Sequence, residues 1–155
     1  MKNYNDIIIQ CMKSEADRME KELSIPGTWY FNEGDRKDIL SWNNEEALRV
    51  WKRIKENIQK HGCSGLRYEL CPFCHKNGYE HKGCYKALKN PICVKCGYGS
   101  RHGLCISDEE GESEYRKILQ AFDDTRMSMY KFFSNDYYKH LVKKLELSLN
   151  ENVCA

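Results

Sequence analysis

Apolar side chains recur at intervals of three and four along four stretches of the chain, and each recurrence marks one face of an amphipathic helix. In the first stretch Ile8, Cys11, Met12, Met19 and Leu23 share a face. Asn5 is placed to cap it, Glu15 and Ala16 leave one polar gap, and Pro26 and Gly27 end it, so the pattern predicts a helix over 5–24. A loop, "IPGTWYFNEG", follows. Asn43 stands three residues before Glu46 in a capping-box arrangement, and Leu48, Trp51, Ile54 or Lys55, and Ile58 then predict a helix over 44–60, stopped at His61 and Gly62. Ser113 opens a third, 113–133, carrying Tyr115, Ile118, Leu119, Phe122, Met129 and Phe133. "SND" opens a fourth, 135–149, carrying Tyr138, Leu141, Val142, Leu145 and Leu149. Amphipathic helices of this length are stabilised by packing, so these stripes are expected to form a core. The expectation is a mostly α protein: one helical domain over 1–155, with a module inserted at 61–106 where the helical pattern lapses.

Composition changes this picture in one respect. Apolar residues at 41% and charged residues at 31% suit a soluble globular chain, and nothing approaches the ~20 consecutive apolar residues of a membrane span. Ile7–Ile9 is too short for the core of a signal peptide, so a cytoplasmic protein with no membrane partner is expected. The nine cysteines stand out. In a reducing compartment they point to metal binding rather than to disulfides. Cys11 lies on the apolar face of the first helix and reads as a small buried thiol, while Cys154 sits in a polar tail and reads as unpaired.

The remaining cysteines lie in the inserted module. Cys71-x-x-Cys74 and Cys93-x-x-Cys96 have the paired spacing of a four-cysteine zinc site. Each such turn aims two sulfurs at one point and offers backbone N–H groups to the thiolates. Pro72 pre-sets φ in the first turn, Gly97 suits a positive φ after the second, and His75 fits the corresponding place less well. The module is therefore expected to resemble a zinc ribbon or zinc knuckle, with Cys71, Cys74, Cys93 and Cys96 holding a structural Zn2+. Cys63, Cys84 and Cys105 remain, with His61, His81 and His102. A second zinc held by Cys63, Cys84, Cys105 and His81 stays open, as does replacement of a member of the second pair by Cys84 or Cys105. For each histidine a surface or capping imidazole is the simpler reading.

Charge follows the same boundaries. Residues 1–59 carry ten basic and eleven acidic side chains, 60–105 carry eight and two, and 106–155 carry seven and ten, giving −1, +6 and −3. The basic segment offsets the −2 of a four-thiolate zinc and lowers thiol pKa values, with Lys76, Lys82 and Lys95 nearest in sequence.

The order Trp51, Cys71-x-x-Cys74, Cys93-x-x-Cys96, "GLC" at Cys105, an acidic break and a closing "HLVKKLELSL" resembles that of small cysteine-rich zinc-binding proteins of phages and mobile elements, over about residues 44–149. Cys63 and Cys84 are additional to that pattern, and the second pair lacks its Cys-Pro. The resemblance implies a zinc-binding helper of an infecting element, one that inhibits a host defence.

Four functions are weighed. Lys82, Lys86, Lys89, Lys95 and Arg101, interleaved with Tyr79, Tyr85 and Tyr98, suit contacts to phosphates and stacking on bases of a nucleic acid without sequence preference. The same residues also suit a solvated face that balances the thiolates. A protein-binding module is the equal alternative, with Trp29, Tyr30 and Phe31 as anchors unless they are buried. A degenerate HNH-type nuclease would use Glu80, His81 and Asn90, but only eight residues separate His81 from Asn90, too few for the hairpin and helix that hold its metal. A thiol redox protein lacks the alternating strand and helix pattern, and a zinc deaminase lacks His-x-Glu and Pro-Cys-x-x-Cys. The sequence thus favours a non-enzymatic zinc-stabilised binding protein acting on a host protein or a nucleic-acid complex, with one zinc or two.

Overall fold

The computed structural model describes residues 3–61, 70–77, 95–103, 105 and 113–154, and among these there is no strand. Helix α1, Tyr4–Leu23, is capped by Asn3, whose side chain accepts from the Asp6 N–H at 3.1 Å, and it ends at Ser24 in the left-handed region (φ 56°). Asn5, the expected cap, is buried instead. Its amide donates to the carbonyls of Ile39 at 2.6 Å and Trp42 at 2.9 Å, tying α1 to the chain segment that leads into the next long helix.

The expected polar gap at Glu15 and Ala16 also faces inward. Glu15 is 2% exposed, accepts the Tyr138 hydroxyl at 2.6 Å and pairs with Arg18 at 3.3 Å. Burial raises its pKa against those hydrogen bonds and the Arg18 charge. The Arg18 guanidinium covers the rings of Phe132 and Tyr137 and donates to the Phe132 carbonyl at 2.6 Å. Nearby, burial and the Glu15 charge push the Cys11 thiol up to about 12, so it behaves as an inert packing group.

A 3-10 turn, Gly27–Trp29, leads to α2, Glu33–Leu40, where no helix is expected from the apolar pattern. Its cause is local and polar. Asn32 accepts the Asp35 N–H at 3.0 Å while Asp35 accepts the Asn32 N–H at 2.8 Å, a reciprocal capping box. Tyr30 in the preceding loop is buried, and Trp29 and Phe31 pack partly buried against the core, so the three aromatics do not stand out as anchors. Helix α3, Asn44–His61, follows the expected pattern: Asn43 accepts the Glu46 N–H at 2.8 Å, and Ala47, Val50, Trp51, Ile54 and Ile58 are buried.

Among the described residues of the cysteine segment are two short helices, α4 (Pro72–Lys76) and α5 (Gly97–His102). The expected helix over 113–133 is two. Helix α6, Glu114–Thr125, capped by Ser113, stops at Arg126 in the left-handed region (φ 57°), and Ser128 caps α7, Met129–Phe132. The break reorients the chain so that Phe132 and Phe133, neighbours in sequence, both reach the core. They meet Phe122 at 5.2 and 5.8 Å, and Phe133 stacks on Tyr138 at 6.1 Å. Helix α8, Asn135–Cys154, runs past its expected end at 149. Helix α1 is central, packing on α2, α3 and α6, while α3 also carries α4 and α8, and α5 rests on α2. None of the helices among the described residues is long and apolar enough to cross a membrane.

Replacing Tyr138 by Phe leaves the buried Glu15 carboxyl without its short donor, and is expected to lower stability by about 1–3 kcal/mol. The check is a fall in the urea midpoint with an unchanged slope. Tyr130→Phe, at a 71% exposed side chain, is the control and should leave the midpoint where it is. Equal midpoints for the two variants would remove Glu15–Tyr138 from the stabilising contacts.

Candidate metal centre and its mount

The two short helices begin in the same way. Cys71 precedes α4 with φ −71° and ψ 116°, and Cys96 precedes α5 with φ −73° and ψ 118°, so each cysteine occupies the N-cap position in nearly the same backbone conformation. Pro72 starts α4, where its fixed φ suits the first helical turn and its missing N–H is no loss. Gly97 starts α5 for another reason than the positive φ expected of it. Among the described glycines only Gly103 has a positive φ, whereas a Cβ at 97 would stand 2.5 Å from Asp38 Oδ2 and 2.9 Å from Arg101 Nη1. Close approach of α2 therefore requires the glycine. Two residues into each turn stand Phe73 and Tyr98, both buried, with their rings 5.3 Å apart. Trp42 meets the Phe73 edge at 5.6 Å, and the Tyr98 hydroxyl donates to the Tyr30 carbonyl at 2.8 Å.

The thiols of this region act on one another. A hydrogen bond from Cys74 lowers the Cys71 pKa against burial, and the backbone N–H groups of Cys74 and Phe73 favour the same thiolate. Cys74 moves well above the ordinary thiol range because it keeps the shared proton, because it is buried, and because it feels the charges of Cys71, Cys105 and Cys96. Among the described residues no three His, Cys, Asp or Glu side chains form a ready cage for a metal. Cys93, the other member of the second pair, lies outside the described residues, as do Cys63, Cys84 and His81 of the second expected site.

Ionic bonds hold the second turn in place. Asp35 is 0% exposed; besides the Asn32 N–H it accepts Arg101 Nε at 2.7 Å and His102 Nε2 at 2.6 Å. Arg101 also donates to Asp38 at 2.9 Å, and Asp38 accepts the Trp42 indole N–H at 3.1 Å. His102, its side chain fully buried, meets Glu114 through Nδ1, which joins α5 to the first turn of α6. Both ring nitrogens face carboxylates, so the ring is held as an imidazolium. Burial opposes that charge, but the hydrogen bonds and charges of Asp35 and Glu114 outweigh it and raise the pKa. On the first turn, Arg49 donates to the carbonyls of His75 and Lys76 at 3.4 and 3.3 Å, closing the end of α4 from α3. Buried His75 reaches Asn57 of α3 at 3.3 Å.

Of the residues proposed for nucleic-acid contact, Lys95 is exposed. Tyr98 is buried and offers no face to a base, and Arg101 is engaged by two carboxylates, so both serve the interior rather than the surface. Lys82, Lys86, Lys89 and Tyr85, together with Glu80 and Asn90, lie outside the described residues. Sequence reasoning missed Asp35, Asp38 and Glu114 as partners of this segment, and it placed His102 at a surface or a cap. The Asn32-x-x-Asp35 spacing was a signal for the capping box, but nothing local pointed to the pairing across 66 and 67 residues. The chain matches no protein-family model, no curated protein and no solved structure.

The His102 pairing fixes a pH dependence. Its folded-state pKa lies above the ordinary 6.5, so the stability it contributes is fully present below that value and is lost as pH rises through the folded pKa. Wild-type protein is expected to lose more stability than His102→Gln between about pH 6 and about pH 9, read from denaturant midpoints at each pH. Parallel profiles for the two proteins would show that the ring is not held charged.

Proposed function

We propose that this protein is a non-enzymatic, zinc-stabilised binding protein of the phage or mobile-element kind, in which cysteines of the 71–105 segment hold a structural Zn2+ and the helical body presents that segment to a partner. One observation carries this reading: two turns with a cysteine at the N-cap position and the same backbone conformation meet through Phe73 and Tyr98, whose rings lie 5.3 Å apart. The donor chemistry fits zinc. Soft thiolates select it, and a tetrahedral thiolate site supplies folding energy to a small module. Cys71 and Cys74 are the donors of the first turn, and the second Cys-x-x-Cys, Cys93 and Cys96, supplies the others. The metal's chemistry here is to organise the loop.

The partner is a host protein. Tyr98 is buried and Arg101 is engaged by two carboxylates, so neither is left to stack on a base or meet a phosphate. A second reading, nucleic acid, is favoured by the +6 net charge of residues 60–105.

Zinc analysis and native mass spectrometry test the metal. Wild-type protein is expected to carry zinc, and Cys71→Ser to lose it with a fall of several degrees in melting temperature. A variant with unchanged zinc content and unchanged melting would refute the site. Titration with a short DNA or RNA separates the partners. Complexes weakened steeply by salt, and by Lys86→Glu with Lys89→Glu at unchanged zinc content, would make nucleic acid the partner. No such complex is expected, and pull-down with zinc-loaded protein should then recover a host protein that chelator-treated protein does not.

A further inference from the structure

We infer that the groove between α6 and the chain leaving α1 is a docking site for an amphipathic helix of a partner protein, one that carries a carboxylate, two apolar side chains and then a cation along one face. The groove belongs to the helical body, so the inference does not depend on the zinc reading.

The groove arises where two elements meet without closing. Helix α6 packs on α1 and on the 3-10 turn that follows it, and between them a groove of about 680 Å³ stays half-open. Leu23 and Ile25, both buried, and Trp29 and Leu119, partly buried, give it apolar walls. That volume lies in the range of sites that take a ligand, and an apolar trough along a helix is the form that receives a partner helix. Trp29 is thus a wall of the groove and not a projecting anchor.

Charge decides the occupant. Arg116 and Lys117 stand near the start of α6, Asp123 and Asp124 stand in its last turn, and all four line the groove. This is the reverse of the order a helix prefers, because its N-terminus is the positive end of the macrodipole and its C-terminus the negative end. Charges so placed weaken α6 by itself and suit a second helix lying parallel to it. A partner helix with the ordinary order, Glu first and Lys later, sets each of its charges against an opposite one. Lys117 and Asp124 are seven residues apart, about 10 Å along the axis, so the partner's Glu and Lys are also two turns apart, with the apolar pair one turn in between. The Lys117 ammonium lies 5.4 Å from the centre of the Trp29 ring, which holds that cation against the groove wall. A nucleic acid or a lipid surface offers anions alone, and it would meet Asp123 and Asp124 with like charge.

The test uses the full chain and two synthetic helical peptides free of tryptophan. One carries Glu, Leu, Leu and Lys at positions i, i+3, i+4 and i+7 of one face, and the other exchanges the Glu and the Lys. Trp29 is the local reporter, since Trp42 and Trp51 are 4% and 3% exposed. Its emission is expected to shift to the blue and to saturate as the first peptide is added, with the second bound about tenfold more weakly. In the double variant Lys117→Glu with Asp124→Lys the preference should reverse, at a melting temperature no lower than that of the wild type, because the exchanged charges suit the macrodipole. No saturable shift with either peptide, or a preference that does not follow the charges at 117 and 124, would overturn the inference. Binding that survives replacement of both peptide leucines by serine would overturn it as well, by placing the contact outside the apolar groove.

Discussion

Asp35 carries its carboxylate at a position with no access to solvent, and a buried charge is tolerated only when it is paired and hydrogen-bonded. Three donors from two parts of the chain meet that demand: the Asn32 N–H at its own helix start, and Arg101 and His102 from the cysteine segment. Much else depends on this arrangement. Helix α5 has six residues, too few to persist by propensity, so its existence rests on being held. Gly34 and Gly97 line the Arg101 side chain so closely that a Cβ on either would collide with it, 2.6 Å from Cδ at position 34 and 2.9 Å from Nη1 at position 97. The pair of glycines lets α2 and α5 approach closely enough for the ion pairs to form.

Glu15 is a second buried carboxylate among the described residues, and the two divide the work. Glu15, paired with Tyr138 and Arg18, joins α1 to α8 and to the aromatic cluster of Phe122, Phe132 and Phe133 inside the helical body. Asp35 joins that body to the segment that bears the thiols. Removing one partner of such a group is costly chiefly because the remaining charge is stranded, so both networks specify geometry more than they add net stability. Cys71 and Cys96 stand at the starts of α4 and α5 in matching backbone conformations, φ −71° and ψ 116° against φ −73° and ψ 118°.

Legibility in the sequence followed the kind of force involved. Helices α1, α3 and α8 were visible because a solvent-facing helix must alternate at its own period, and Ser113 and Asn43 were visible because caps act within three residues. Helix α2 was not visible, since its apolar stripe is weak and only the Asn32 and Asp35 pair announces it. The break at Arg126 was hidden as well. Apolar residues continue on nearly one stripe to Phe133, and what ends α6 is the need to bury two adjacent phenylalanines. Asn5 was mistaken for a cap because a capping side chain and a buried bridging amide look alike in sequence; Asn3 does the capping, and Asn5 reaches Ile39 and Trp42.

The sequence by itself determined that the chain is mostly helical, that its cysteines concentrate in one basic segment, and that this segment carries two Cys-x-x-Cys motifs, because periodicity, composition and spacing are local properties. The tertiary structure alone decided that Tyr98 and Arg101 face inward and that His102 is clamped between Asp35 and Glu114. These are contacts between residues far apart in the chain. Their cause is the free energy of satisfying a buried charge, which no window of sequence contains.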